Sequence, residues 1–198
     1  MDNSRSESLN YILIAFLCFQ TVIGYAQKED SLLNVIKSTN LEFLPTTQRN
    51  QDYLETIFKL DQEIRNAVTI VLQQDGLESK AYENIIEKQK EIDRYLFNKM
   101  VDYLTIYGHP SAELGEIACF TPLLIFHHVS GTSEDLELKE SFFPIFYQAY
   151  LKGSLESNSI YFYLFRLHSQ IFNREFESEL NEENQIEFLI QLLHLQKE

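Results

Sequence analysis

The sequence predicts an all-α protein, an irregular bundle of six or seven helices around a central, buried, proline-kinked helix. Apolar residues recur at helical spacing along most of the chain, and no segment alternates apolar and polar residues convincingly as a half-buried strand would. Only six glycines and four prolines interrupt the 198 residues. Residues 112–129 are apolar on nearly every side, which is typical of a helix inside the core.

Residues 1–26 have the pattern of a secretory signal peptide. Residues 11–19 read YILIAFLCF, and Gly24 and Ala26 are small residues just before a possible cleavage point at Gln27. The apolar stretch 11–26 is shorter than the roughly 20 residues of a membrane-spanning helix. We therefore expect an exported protein, periplasmic or extracellular, and the alternatives for this segment are a retained N-terminal anchor and a core helix.

Two further regions follow in the predicted organisation. Residues 27–47 are expected to form a short N-terminal helix, at about 30–38, and a linker over 39–47. Residues 48–198 are expected to form the helical domain. Its helices are predicted at 48–74, 79–107, 112–129, 134–152, 155–177 and 182–196.

Glycine, proline and asparagine predict where these helices end. Gly76, Gly108 and Gly153 follow three of the apolar patterns, because glycine tolerates the backbone found just after a helix. Pro122 is expected to kink or divide helix 112–129, and Pro144 is expected near a break in the next helix. Asn181 is a predicted N-cap for the last helix.

Charge and cysteine content exclude several classes of function. The formal net charge is −14, from 30 acidic and 16 basic residues, which argues against binding to nucleic acid or to anionic lipid headgroups. Cys119 is the only cysteine after residue 26, so no internal disulfide is expected in the exported chain. It lies in the apolar run IACFTPLLIF, which predicts a buried, inert thiol. The sequence contains no cofactor-binding motif, and no cofactor is expected. Apart from the export signal, no part of the chain is expected to contact a membrane.

Two carboxylates are placed where the helical pattern favours apolar residues. Asp61 lies at the edge of its apolar stripe with Arg65 one turn later, and Asp93 lies well inside its own stripe. A buried carboxylate must be paired or hydrogen-bonded, or its pKa rises. Two interpretations follow: a structural ion pair that fixes the packing of the helices, or a polar pocket at one end of the bundle.

Two histidines and one arginine are further candidates. His127 and His128 end the apolar helix, and His128 is the inward member of the pair. Neighbouring residues on a helix point about 100° apart, so a metal shared by the two histidines is not expected. Arg166 follows the aromatic run IYFYLF and could reach an inward carboxylate or extend into solvent.

The order of these residues resembles an uncharacterised family of bacterial helical proteins, a domain of unknown function. Its motifs are D-Q-x-x-R, D-x-x-N, Y-G-W/Y-P, Q-H and D-R, and the resemblance covers about residues 55–173. Leu96, His127 and Phe165 replace polar residues of these motifs, so the chain would be a divergent member. The resemblance implies a fold and a pocket but no particular reaction. The matching residues, which form the candidate pocket, are Asp61, Gln62, Arg65, Asp93, Tyr107, Gly108, His128 and Arg166.

Three hypotheses for function follow. The first is a non-enzymatic binding or interaction module for a protein or a small molecule, since no nucleophile elbow, phosphate-binding loop or dinucleotide motif occurs. The second is a hydrolase-like enzyme in which Asp61, Asp93 and His128 act as acids and bases, with Arg65 or Arg166 binding an anion. The third is a buried polar network that specifies helix packing and forms no site.

Overall fold

The computed structural model describes residues 28–44, 46–129, 131–178 and 181–197. Within these ranges the chain forms seven α-helices and no strand, which confirms the predicted all-α bundle. Short 3₁₀ turns occur at Leu41–Phe43 and Ala112–Leu114. The predicted signal peptide lies outside the described residues. The helices are α1 (28–38), α2 (Thr47–Asp75), α3 (Lys80–Tyr107), α4 (Glu116–His128), α5 (Ser133–Leu151), α6 (Ser157–Phe172) and α7 (Glu182–Leu192).

The central helix is α4, as the sequence predicts. It packs against α2, α3 and α6, while α6 also contacts α5 and α7. The ring of Phe126 on α4 is fully buried and contacts Phe97 of α3 at 4.7 Å between centroids, and Phe146 of α5 at 5.2 Å. Helix α4 therefore joins the α2–α3 pair to the C-terminal helices.

Both interior prolines lie within continuous helices. Helix α4 runs through Pro122, so this proline does not divide it, and α5 runs through Pro144, so the break expected there is wrong. Each proline removes one backbone hydrogen bond. The neighbours of Pro144 in the core, Phe143 and Phe146, have fully buried rings. Burial of two aromatic rings contributes more than the lost hydrogen bond costs, so the helix continues.

The predicted helix ends are confirmed at the N-cap of α7 and at all three glycines, and Gly153 directly follows the C-cap of α5 with φ of 74°. Asn181 accepts a hydrogen bond from the Asn184 amide at 3.0 Å. Gly76 and Gly108 follow α2 and α3 with φ of 80° and 70°. Helix α6 ends at Phe172, earlier than the predicted 177, because Asn173 adopts a left-handed conformation with φ of 51°.

Residues 28–44 are part of the bundle. Ile36 of α1 is fully buried, and Leu41 and Leu44 also belong to the hydrophobic core. The Tyr107 hydroxyl at the end of α3 donates to the carbonyl of Leu41, and the Leu44 amide donates to the same hydroxyl at 3.3 Å. No helix in the described ranges combines the length and the apolar character needed to cross a bilayer.

Candidate functional site

Five of the candidate residues converge where α2, α3 and α4 meet. Arg65 and Asp61 lie one turn apart on α2, and the Arg65 Nη2 donates to Asp61 Oδ1 and to Asp93 Oδ1 of α3, at 2.8 Å each. The His128 ring at the end of α4 contacts Asp61 Oδ1 through Nδ1, also at 2.8 Å. Gln62 donates to the other Asp61 oxygen at 2.9 Å. We call Asp61, Arg65, Asp93 and His128 the polar cluster.

Burial differs among the members of the polar cluster. The Asp61 side chain is 0 % exposed, Asp93 is 11 % exposed, His128 19 % and Arg65 25 %. The sequence pattern placed Asp61 at the edge of its stripe and Asp93 further inside, and the structure reverses that order. Helix α2 contacts both α3 and α4, and Asp61 lies where these contacts meet. A side chain at the edge of the contact with one of these helices is therefore covered by the other helix.

The two carboxylates have opposite pKa shifts. Burial alone would raise the pKa of Asp61, but hydrogen bonds from His128 and Arg65 outweigh it and hold that pKa below its ordinary value. Burial raises the pKa of Asp93, and the charge of Arg65 only partly opposes this. Asp61 is therefore the permanent anion of the cluster, and Asp93 is the carboxyl that takes up a proton more readily. Opposite pKa shifts of two neighbouring carboxyl groups are typical of acid–base sites, and structural networks of ion pairs show them too.

The charge of Asp61 fixes the tautomer of His128. A carboxylate accepts hydrogen bonds only, so the Nδ1 atom of His128 carries the proton that is donated to Asp61. In the neutral ring the second nitrogen, Nε2, then holds a lone pair. His128 can thus accept a proton at Nε2 while Asp61 stabilises the positive charge that forms.

A cavity of about 290 Å³ lies beside His128, between α4 and α6. We call it the α4–α6 cavity. Its apolar wall is formed by two phenylalanines and two leucines, and its polar groups come from the two histidines, an asparagine and a serine. The lining residues are Phe120, Leu123, Leu124, His127, His128, Asn158, Ser159 and Phe162.

His127, which lines this cavity, has an unpaired ring nitrogen. Its Nδ1 atom is buried and has no hydrogen-bond partner among the described residues. Burial lowers the pKa of His127 to about 4, and the charge that His128 carries whenever its ring is protonated and the charge of Arg166 act in the same direction. The ring is therefore neutral near pH 7 and can accept or donate one hydrogen bond without charge.

The other candidate residues do not join the polar cluster. Tyr107 and Gly108 lie 14 and 15 positions after Asp93, which is about 21 Å along α3. They line a separate cavity of about 670 Å³ between the end of α3 and α5. Arg166 is exposed on α6 and forms no ion pair among the described residues. One continuous pocket containing all eight predicted residues is therefore wrong.

Cys119 is buried, as the sequence predicts. Its thiol donates to the Ser111 carbonyl at 3.2 Å, and burial raises its pKa, which disfavours the reactive thiolate. No group of three or more histidine, cysteine or acidic side chains in the described part of the chain is arranged to hold a metal ion.

A second buried polar set near the α4–α5 junction was missed from the sequence. Arg94, next to Asp93 on α3, forms a bidentate pair with the buried Asp135 of α5. Lys139, one turn after Asp135, is 1 % exposed and donates to the Val129 carbonyl at 2.9 Å and to Gln170 at 2.8 Å. Thr132 and Asp135 form a capping box, and that T-x-x-D spacing was the available signal.

Comparison with protein-family models, with curated proteins and with solved structures found no match to this chain. Membership of the bacterial helical family therefore stays a prediction.

Proposed function

We propose that the protein binds a small molecule in the α4–α6 cavity, with His128 as its principal polar contact. The observation that carries this proposal is the position of His128, which lines the cavity and is also hydrogen-bonded to the buried Asp61 carboxylate. A histidine oriented by a carboxylate presents its second nitrogen in a fixed direction. Such a fixed polar group in an apolar wall is typical of a ligand site.

The volume of the cavity limits the ligand to a small one. An apolar protein cavity of about 150 Å³ holds a benzene molecule. A space of about 290 Å³ therefore accommodates one aromatic ring with a short substituent, or a small bicyclic ring system. The polar groups of His127, Asn158 and Ser159 favour a ligand with one hydrogen-bonding end.

Titration with benzyl alcohol, phenol and indole tests this proposal, with amide chemical shifts as the measurement. We expect saturable shifts at residues of α4 and α6 that line the cavity. Ser159→Leu fills part of the cavity and should abolish them. Ser141→Leu changes an exposed serine of α5 and should leave them unchanged. Absence of saturable shifts for all three probes and for benzoate, the anionic analogue of benzyl alcohol, or equal binding by both variants, would contradict the proposal.

A second candidate function is acid–base hydrolysis, and the Asp61–His128 hydrogen bond favours it. In this scheme His128 Nε2 takes a proton from a water molecule in the cavity as the water attacks an acyl carbon. Asp61 stabilises the resulting imidazolium, and the proton then passes to the leaving group. Arg65 is a positioning residue here, since it keeps Asp61 ionised and oriented.

Hydrolysis of p-nitrophenyl acetate distinguishes the two candidates. A catalytic His128 predicts that His128→Gln lowers kcat/KM by about 100-fold or more. His194→Gln changes an exposed histidine and controls for non-specific hydrolysis by surface imidazoles. Equal rates for the wild type and both variants would exclude the enzymatic candidate and leave binding.

We also propose that the chain is exported through its N-terminal signal. The supporting observation is the apolar run of residues 11–19 followed by small residues at 24 and 26. Expression of the full sequence in a Gram-negative host, followed by mass spectrometry of the N terminus, tests it. We expect a chain that begins at Gln27 in the periplasm or medium, and an intact cytoplasmic chain would contradict export.

A further inference from the structure

We propose that the ligand of the α4–α6 cavity carries an anionic group, such as a carboxylate, and that Arg166 binds this group at the rim. This inference rests on the proposed binding function and specifies the chemical class of the ligand. It assigns Arg166 a role in binding, separate from the polar cluster that positions His128.

The position of Arg166 on α6 brings it next to the cavity wall. Asn158 and Phe162 line the cavity, and Arg166 follows them at the same spacing of four residues. Residues four apart lie on one face of a helix, so Arg166 extends this wall by one turn. Phe162 is 57 % exposed, which places the end of the cavity nearest Arg166 at the protein surface.

Arg166 has no acidic partner among the residues that the structure describes, although the chain is strongly acidic. Arg65 is paired with Asp61 and Asp93, and Arg94 is paired with Asp135. Arg166 forms no hydrogen bond or ion pair with any described residue, although the chain has 30 acidic residues. Its planar guanidinium is therefore free for the bidentate contact that a carboxylate or phosphate group makes.

The charge of Arg166 is also felt at the cavity wall. It helps to lower the pKa of His127, which lines the cavity, after burial and the charge that His128 carries whenever its ring is protonated. Because His127 is neutral near pH 7, it does not form an ion pair with an anion. Arg166 is then the cation nearest to an anion at this end of the cavity.

Benzoate and benzyl alcohol form a matched pair of probes, because they share a ring of equal size and differ in charge. We expect the wild-type protein to bind benzoate about tenfold more tightly than benzyl alcohol, as measured by amide shift titration. Arg166→Gln should remove this preference and leave the benzyl alcohol Kd unchanged within about twofold, since only the charge at the rim is lost. Arg166→Lys should retain part of the preference.

Arg49→Gln is the matched control, because it removes the same charge from an exposed arginine on α2. It should change neither Kd. Phenyl phosphate in place of benzoate shows whether the rim prefers a carboxylate or a phosphate group. Equal affinities for benzoate and benzyl alcohol, or no effect of Arg166→Gln, would overturn the role of Arg166 while the cavity remained a binding site. Failure of benzyl alcohol, phenol and indole as well as benzoate would overturn the binding function itself.

Discussion

The Asp61 carboxylate on α2 accepts a 2.8 Å hydrogen bond from the His128 ring at the end of α4, 67 residues later in the chain. The same carboxylate accepts two hydrogen bonds from the Arg65 guanidinium and one from Gln62, so three side chains donate to it in all. A fully buried carboxylate needs such partners, because its desolvation is unfavourable by several kcal/mol. This single group therefore supports both the packing of three helices and the orientation of His128.

Replacing Asp61 alone should be strongly destabilising. Asp61→Ala leaves the partly buried Arg65 with one carboxylate partner and His128 with none. We expect a loss of about 3–5 kcal/mol in the free energy of unfolding, measured by urea denaturation. Asp52→Ala, at an exposed aspartate of the same helix, should cost less than about 0.5 kcal/mol. Similar small losses for both variants would show that the polar cluster contributes little to stability.

Replacing three members together should have a different effect. In the triple variant Asp61→Leu, Arg65→Met and Asp93→Leu, no unpaired charge remains buried, so we expect stability equal to or above that of the wild type. Binding of benzyl alcohol in the α4–α6 cavity should nevertheless weaken, because His128 loses the partner that orients it. Unchanged binding together with higher stability would show that the cluster only specifies helix packing.

Stability should rise between pH 7 and pH 9 because of Lys139. Burial lowers the pKa of its ammonium to about 7, from an ordinary 10.5. Between these values the unfolded chain holds a proton that the folded chain has released, so raising the pH favours folding by up to ~1.4 kcal/mol per pH unit. Lys139→Met should remove this slope in urea unfolding at pH 7, 8 and 9. Lys90→Met, at an exposed lysine of α3, should keep it, and a wild type without the slope would show that Lys139 stays charged when folded.

Gly108 should be intolerant of substitution for reasons of backbone conformation rather than ligand binding. Its φ of 70° and ψ of −164° lie in a region that is almost exclusive to glycine, and a Cβ atom there would meet nothing within 4 Å. We expect Gly108→Ala and Gly108→Asn each to cost about 1–3 kcal/mol in thermal unfolding. Asn173→Gly, where φ is 51° and ψ is 38°, should be tolerated. Equal losses at the two positions would contradict this explanation.

The fold could be predicted well from the sequence, because helical periodicity and capping residues act locally. Asn181 and Gly76 were recognised as helix ends from residue type alone, and the structure agrees. Pro144 and the end of α6 were predicted incorrectly, because core packing around Phe143 and the backbone conformation of Asn173 decided the outcome. Tertiary packing of this kind leaves no local signal.

The candidate site was predictable only in part. The inward positions of Asp61 and Asp93 and the one-turn spacing of Arg65 indicated that these three would meet, and His128 followed from its place on α4. Tyr107 lies about 21 Å from Asp93 along α3, a distance that follows from their spacing in the sequence. A straight helix of this length does not bring both residues into the single pocket that the resemblance implies. The pairing of Arg94 with Asp135 depends on how α3 meets α5, which no sequence period encodes.

The C-terminal end of α4 is held from three sides, which bears on how a ligand would reach the α4–α6 cavity. Asp61 binds His128 from α2, while Lys139 of α5 and Gln170 of α6 both donate to the carbonyl of Val129. These hydrogen bonds oppose displacement of the C-terminal end of α4. Phe162, on the opposite wall of the cavity, is largely exposed. We therefore expect the Phe162 side chain, rather than α4, to swing aside during ligand exchange, so that its rotamer changes set the rate of access.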